Sequence, residues 1–230
     1  MMQNPAPTGK GLFMFRLTAS ITVLLISATA TAQTAGSASN FPATQYKFEV
    51  TPFIGYRTGG KFEDKDGSTN FKLGESESLG FMVNVAANAN GKYEFLYAHQ
   101  STEVDSGGLF VGDPKFDLDV EYYQFGGTYL FDGDVAQPFI ALTFGMSRFD
   151  PQPAEFSAEN FFSASFGGGI QLNPRGRFGV RLEGRVYTSL IDDNSRIFCG
   201  SDGGVGGCLI EIDGTLLTQW EARAGIVFRF

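Results

Sequence analysis

Residues 216–230 read LLTQWEARAGIVFRF, and apolar and polar side chains alternate along this stretch up to its last residue. One face of a β-strand with this sequence would carry Trp220, Ala222, Ala224, Ile226, Phe228 and Phe230. The opposite face would carry the charged residues Glu221, Arg223 and Arg229. Successive side chains of a strand point to opposite sides, so this strand is expected to lie between an apolar and a polar environment.

Seven other stretches alternate in a similar way, and together they predict eight strands. Their bounds are Tyr46–Arg57, Ser78–Asn88, Lys92–Val104, Leu118–Phe131, Pro138–Phe149, Phe161–Asn173, Phe178–Ile191 and Leu216–Phe230. The faces of the fourth strand are ambiguous, because Tyr122, Tyr123 and Phe125 interrupt its alternation. The strands are longer than the ~5–6 residues common in globular proteins. They fit the ~9–11 tilted residues that cross a bilayer.

Long and short connections alternate between the predicted strands. The long connections are 58–77, 105–117, 150–160 and 192–215, and the short ones are 89–91, 132–137 and 174–177. Every long connection therefore leaves the sheet at the same end. Membrane-spanning barrels show this asymmetry, with short turns on one side of the bilayer and long loops on the other.

The pattern predicts an all-β fold: one domain, 46–230, that forms an eight-stranded antiparallel up-and-down transmembrane β-barrel. A soluble barrel with its apolar face inward is the alternative. The strand lengths, the asymmetric connections and the aromatic residues near strand ends favour an apolar face that points outward. Acids and bases also mix on the polar face, as in Arg181, Glu183 and Arg185, where they could neutralise one another inside a narrow barrel.

The first 45 residues differ from the rest of the chain. Residues 1–32 resemble a cleaved secretory signal peptide, with Lys10 and Arg16 before a short apolar segment and small residues at its end. Residues 33–45 are expected to form a flexible leader. The apolar segment is too short for a spanning helix, which needs ~20 residues.

Charge and cysteines limit the possible functions further. The net charge of −8 becomes −10 once Lys10 and Arg16 are removed with the signal peptide, and the acidic excess lies in the four long connections. This charge argues against nucleic acid as a partner. Cys199 and Cys208 are the two cysteines, and in an exported chain an isolated pair predicts a disulfide. The sequence predicts no metal site and no cofactor.

Ten charged residues are expected to face the barrel interior. They are Lys47, Glu49, Arg57, Glu94, Arg181, Glu183, Arg185, Glu221, Arg223 and Arg229. The interior of an eight-stranded barrel is just wide enough to be filled by side chains, so the set predicts a salt-bridged plug. A narrow ion channel through the same charges is the functional alternative.

With its alternating strands and terminal Phe228 and Phe230, the chain resembles the OmpA-like small outer-membrane β-barrel family of Gram-negative bacteria. The resemblance implies export and insertion by the outer-membrane assembly machinery, with Phe228 and Phe230 as the assembly signal. It also implies a monomer in the cell outer membrane, with lipid and lipopolysaccharide as partners. Members of this family include anchors, adhesins, receptors and lipid-modifying enzymes, so the resemblance does not imply one activity.

His99 and Ser101 are the weak candidates for catalysis, because a histidine beside a serine hydroxyl can act as a general base. The spacing is similar to the His-x-Ser pair of lipid A deacylase barrels, which use a His/Ser/Glu set on the outer wall. Glu103, Asp119 or Glu121 could supply the acid. We expect a non-enzymatic barrel that presents four acidic extracellular loops, and the alternatives are a lipid A-modifying hydrolase and a narrow ion channel.

Overall fold

The computed structural model describes residues 46–63, 70–105, 115–152, 158–191, 199–202, 205–208 and 215–230. Twelve strands lie in these ranges: β1 Phe48–Gly59, β2 Lys61–Glu63, β3 Asn70–Leu73, β4 Ser76–Ala86, β5 Gly91–Asp105, β6 Lys115–Leu130, β7 Ala136–Pro151, β8 Glu159–Leu172, β9 Phe178–Ile191, β10 Cys199–Asp202, β11 Val205–Cys208 and β12 Thr215–Arg229. The predicted signal peptide and leader lie outside the described residues. Within these ranges, no helix has the length and hydropathy needed to cross a membrane.

Eight long strands close into a barrel in the order β1, β4, β5, β6, β7, β8, β9, β12, and β12 pairs with β1. All of these pairings are antiparallel, and each strand pairs with its nearest long neighbours in sequence. The prediction of an eight-stranded antiparallel up-and-down barrel is confirmed.

The register determines how far the strands are staggered around the barrel. A path of paired residues that starts at Trp220 runs through Val186, Phe166, Leu142, Gly127, Tyr93, Val85 and Phe48 to Phe230. It returns to β12 ten residues from its start, so the barrel has a shear number of ten. Stagger of this kind tilts the strands against the barrel axis, which helps to explain strands of 11 to 16 residues.

Two of the stretches interpreted as loops contain short hairpins. β2 pairs with β3 in the first long connection, and β3 adds to the edge of β5 beyond β4. β10 pairs with β11 in the last long connection and forms a separate two-stranded sheet. Strands of three or four residues are too short to produce a recognisable alternation, so the sequence pattern missed them.

The structure resolves the ambiguous faces of the fourth predicted strand, which is β6. Tyr122 is fully buried in the interior, whereas Phe125 is exposed on the outer face. Tyr123 shares the outer face with Phe125 because side chains alternate along a strand. The interruption in the pattern thus arises from Tyr122, an aromatic residue that points inward and donates a hydrogen bond to Gln219 at 2.8 Å.

Candidate functional site

Nine of the ten charges expected inside the barrel are buried there: Glu49, Arg57, Glu94, Arg181, Glu183, Arg185, Glu221, Arg223 and Arg229. Lys47 is instead exposed, because β1 begins at Phe48 and the Lys47 backbone nitrogen donates to Phe230 outside the strand. Lys92 is buried as well and was missing from the expected set. Among the residues that the structure describes, the charges buried in the interior therefore comprise six bases and four acids, a net charge of +2.

The interior charges form layers along the barrel axis. At the end with the short turns, Glu49 accepts hydrogen bonds from Lys92 at 2.7 Å and Arg229 at 2.9 Å. Arg229 also donates to the backbone oxygens of Asn173 and Gly176, at 3.0 and 2.7 Å, and so fixes the turn between β8 and β9. This layer closes the short-turn end of the interior.

Two glutamates and three arginines occupy the central layer. Glu94 accepts from Arg181 at 2.9 Å and from Arg185 at 2.6 Å. Glu183 accepts from the same two arginines at 2.8 and 2.7 Å and lies 2.8 Å from Arg223 Nη2. Each glutamate thus bridges two or more guanidinium groups, as expected where buried charges need partners.

A buried ion pair between Arg57 and Glu221 forms the next layer. Arg57 Nε and Nη2 donate to Glu221 Oε2 at 2.8 and 2.5 Å. The guanidinium carbon lies 4.9 and 4.7 Å from the ring centroids of Tyr122 and Tyr187. The aromatic faces offer the cation a favourable electrostatic contact in addition to the carboxylate.

Above this pair, at the end with the long connections, the interior becomes apolar. The buried side chains there are Leu73, Val104, Leu118, Val120, Phe149, Phe161, Ile191 and Leu217, which we call the apolar layer. The rings of Phe149 and Phe161 lie 5.6 Å apart in an edge-to-face arrangement. This layer was not predicted from the sequence, because Leu118 and Val120 lie in the strand whose faces were ambiguous.

At the same end, the outer face of β5 and β6 changes from apolar to polar. On β5 the outward residues Tyr93, Phe95 and Tyr97 are followed by His99, Ser101 and Glu103. On β6 the outward residues Asp117, Asp119 and Glu121 precede Tyr123 and Phe125. On β9 and β12 the outward residues at this end, Leu190 and Leu216, stay apolar and exposed. β5 and β6, by contrast, are polar inside and apolar outside over most of their length, and apolar inside and polar outside near the long connections. We call this change the polarity inversion.

Seven side chains meet on the outer wall at the inversion: Tyr97, His99 and Ser101 of β5, Asp119, Glu121 and Tyr123 of β6, and Arg148 of β7. We call them the outer-wall cluster. The ladder sets His99 opposite Glu121 and Ser101 opposite Asp119. It also sets Glu121 opposite Arg148.

The hydrogen bonds of the outer-wall cluster centre on the two carboxylates. Ser101 Oγ donates to Asp119 Oδ1 at 2.6 Å and lies 3.2 Å from His99 Nε2. Glu121 accepts from the hydroxyls of Tyr97 and Tyr123, at 2.8 and 3.2 Å. His99 Nδ1 lies 3.9 Å from Glu121 Oε1, beyond hydrogen-bond distance.

The cluster holds the groups of a hydrolytic triad in a partly assembled form. The serine hydroxyl is within reach of the histidine, but its proton is donated to Asp119. Of the three acids considered from the sequence, Glu121 lies beside the ring nitrogen that a triad acid would contact, and Asp119 lies beside the hydroxyl. Glu103 is exposed two positions beyond Ser101 on the same face.

The two cysteines are directly opposed in the β10–β11 ladder, where Cys199 pairs with Cys208. Directly opposed antiparallel residues have Cα atoms about 4.5–5.5 Å apart, within the range of about 4.4–6.8 Å found for disulfides. The disulfide stays a prediction.

The two terminal aromatic residues pack against neighbouring strands at the short-turn end. The Phe230 ring lies 6.2 Å from that of Phe48, and the Phe228 ring lies 5.6 Å from that of Phe178. Phe230 remains exposed on the outer face. Their role as an assembly signal stays a prediction.

Several solved structures are similar to this chain. Neisserial surface protein A (NspA) matches with a TM-score of 0.54 and 12% identity, over 80% of this chain and 97% of NspA. Ail of Yersinia pestis, in complex with the heparin analogue sucrose octasulfate, matches with a TM-score of 0.39 and 17% identity, over 79% and 99%. The N-terminal β-barrel domain of Pseudomonas aeruginosa OprF matches with a TM-score of 0.42 and 10% identity, over 81% and 100%.

No protein-family model and no curated protein sequence matches the chain. NspA is a small eight-stranded outer-membrane β-barrel. The likeness to NspA concerns the fold, and at 12% identity it carries no activity. The closed eight-stranded barrel of this chain thus has the fold of the small outer-membrane β-barrels.

Proposed function

We propose that this chain is a non-enzymatic outer-membrane β-barrel that presents a surface beyond the membrane. The observation that carries the proposal is the polarity inversion. Below it, an apolar outer face surrounds a paired set of buried charges, the arrangement that a lipid environment requires. Above it, β5 and β6 have the polar outer face and apolar interior of a water-soluble sheet.

The part beyond the inversion gives the barrel a rigid surface for interactions. β5, β6 and β7 continue there as paired strands, and the apolar layer supports them from inside. The long connections that leave this end carry the acidic excess of the sequence. We propose that the chain is exported by its signal peptide, inserted by the outer-membrane assembly machinery, and bounded by lipid and lipopolysaccharide as a monomer.

Single cysteines on the outer face of β5 test the placement. In a chain lacking Cys199 and Cys208, Phe95→Cys lies below the inversion and Glu103→Cys lies above it. Both are labelled with an environment-sensitive fluorophore after refolding into lipid vesicles. We expect a blue-shifted emission at 95, quenched only by lipid-borne quenchers, and a water-like emission at 103. Equal emission and equal aqueous quenching at both sites would rule out the membrane boundary proposed here.

The outer-wall cluster favours a second candidate, a hydrolase that cleaves an ester of lipid A. The 3.2 Å approach of Ser101 Oγ to His99 Nε2 supports it, because that contact lets histidine take the hydroxyl proton. A rotation that moves the Ser101 proton from Asp119 to His99, and His99 Nδ1 toward Glu121, would complete the triad.

Lipid A mass spectra distinguish the two functions. Cells that express the wild-type chain are compared with cells that express His99→Ala or Ser101→Ala, at matched amounts of protein in the outer membrane. The non-enzymatic barrel predicts identical spectra for all three. Loss of an acyl chain that requires both His99 and Ser101 would favour the hydrolase.

A further inference from the structure

The outer-wall cluster lies where the outer face of the barrel meets lipid headgroups, if the barrel spans a membrane as proposed above. Tyr97 and Tyr123 stand on its apolar side, and Ser101 and Asp119 on its polar side. Tyrosine side chains collect at the membrane–water interface because one end of the ring is apolar and the other polar. The inference drawn here rests on that proposed placement.

The cluster presents negative charge to this interface. Glu121, with a side chain only 22% exposed, accepts hydrogen bonds from two neutral tyrosine hydroxyls. Asp119 accepts from the neutral hydroxyl of Ser101. Arg148 is the one permanent cation of the cluster, and its Nη2 donates to Asp150 at 3.0 Å. Neutral hydroxyl donors do not compensate the charge of a carboxylate, so a further cation is a favourable neighbour.

An organic cation fits the surroundings of Glu121 better than a metal ion does. In the part of the chain that the structure describes, no group of three or more His, Cys, Asp or Glu side chains is placed to ligate a metal. The rings of Tyr97 and Tyr123 lie 5.0 Å apart, and the Phe81 ring lies 5.6 Å from Tyr97. Aromatic rings beside a carboxylate can offer an ammonium group a cation–π contact in addition to the ion pair.

Arg148 adds a second charge of opposite sign beside Glu121. Arg148 is directly paired with Glu121 in the β6–β7 ladder, and its side chain is 44% exposed on the outer wall. A lipid headgroup that joins a primary ammonium to a phosphate carries the complementary pair of charges. The ammonium can donate to Glu121, and the phosphate can accept from Arg148.

We propose that the outer-wall cluster binds the phosphoethanolamine headgroup of a membrane lipid, with the ammonium at Glu121 and the tyrosine rings and the phosphate at Arg148. Recognition of this kind selects a lipid rather than hydrolysing it, so it does not require the triad to assemble. It would anchor the β5–β6 wall at a defined depth in the membrane.

Native mass spectrometry of the refolded chain tests the headgroup selection. The barrel is inserted into nanodiscs of phosphatidylethanolamine, phosphatidylcholine and phosphatidylglycerol in equal amounts, and the lipids that remain bound after release are identified. We expect phosphatidylethanolamine to be enriched about three- to tenfold over the other two. Glu121→Gln is expected to abolish the enrichment, and Arg148→Gln to reduce it about twofold. The control Glu77→Gln removes an exposed carboxylate on β4 outside the cluster and should leave the enrichment unchanged.

Folding of each variant is checked by its heat-modifiable migration on a gel. Equal retention of the three lipids by the wild-type barrel, equal retention of the choline and ethanolamine lipids, or full enrichment in Glu121→Gln would each overturn the inference. Failure of the wild-type chain to insert into the nanodiscs would contradict the proposed membrane function itself. Insertion without headgroup selection would overturn the headgroup site alone.

Discussion

Arg57 and Glu221 are 164 positions apart, yet two guanidinium nitrogens of Arg57 lie 2.8 and 2.5 Å from one oxygen of Glu221. The two residues are directly opposed in the ladder between β1 and β12, which closes the barrel. Both side chains are fully buried. The ion pair therefore links the first and last barrel strands from inside.

Removing the negative partner should destabilise the barrel strongly. In Glu221→Gln the Arg57 guanidinium stays buried without its carboxylate, and loss of one partner of a buried pair costs about 3–5 kcal/mol. We expect the free energy of unfolding in urea, measured by gel migration of the refolded protein in lipid vesicles, to fall by about that amount. The control Asp134→Asn removes an exposed pair with Arg175 and should change the stability little.

Removing both charges should be less harmful than removing one. In the double variant Arg57→Met, Glu221→Leu the Arg57 charge is removed together with its carboxylate partner, and apolar replacements of buried pairs are often well tolerated. We expect the double variant to be more stable than Glu221→Gln in the same urea titration. If the double variant were less stable than Glu221→Gln, the loss of stability would come mainly from the polar neighbours of the pair and not from an unpaired charge.

Two glycines on neighbouring strands should respond oppositely to alanine. A Cβ at Gly167, which points inward on β8, would meet Glu183 Oε1 and Arg185 Nε of the central layer. Gly184 on β9 is exposed, and a Cβ there would have no atom within 4 Å. We expect Gly167→Ala to lower the free energy of unfolding by about 1–3 kcal/mol. Gly184→Ala should be neutral or slightly stabilising.

Equal effects of the two substitutions would contradict the packing of the central layer described above. The urea titration used for Glu221→Gln also serves here. Because both variants change one hydrogen to a methyl group, they have matched effects on the entropy of the unfolded chain.

Reduction of the predicted Cys199–Cys208 disulfide should leave the barrel intact. The β10–β11 hairpin forms a sheet of its own, separate from the barrel ladder. We expect the protein purified from the outer membrane to show no reactive thiol before reductant and two after it. The urea midpoint of the barrel should be the same in both states. Free thiols in the unreduced protein would show that the bond does not form.

Strict alternation predicted some strands accurately. For β9 the predicted and observed bounds are both Phe178–Ile191, because charged and apolar residues alternate through its centre. The same reasoning placed Glu221, Arg223 and Arg229 inward on β12, where the structure has them buried. Alternation reflects a difference in polarity between the two faces of a strand. It is enough to predict the inward residues wherever the same face stays polar along the whole strand.

The features that were not predicted from the sequence depend on how the strands pair and on where each strand leaves the apolar outer surface. At the polarity inversion, the apolar residues of a strand change from its outer face to its inner face. Tyr122 is such an inward aromatic residue, and in the sequence it therefore interrupted the alternation of its strand. The neighbour of His99 could not be chosen among Glu103, Asp119 and Glu121 from spacing, because it depends on the register between β5 and β6. The ladder places Glu121 opposite His99, and this pairing defines the outer-wall cluster.

The last prediction concerns ion conduction through the interior. The buried charges include the ion pair of Arg57 and Glu221, and an ion that passed them would next meet the apolar layer around Phe149 and Leu217. Apolar constrictions exclude water and thereby close a pore to ions. We therefore expect no single-channel steps in planar bilayers for the wild-type barrel. Phe149→Ala should behave in the same way, since it leaves a cavity lined by apolar neighbours and not a polar path. Reproducible steps in the wild type that change ion selectivity in Glu221→Gln would instead identify the buried charges as a conducting path.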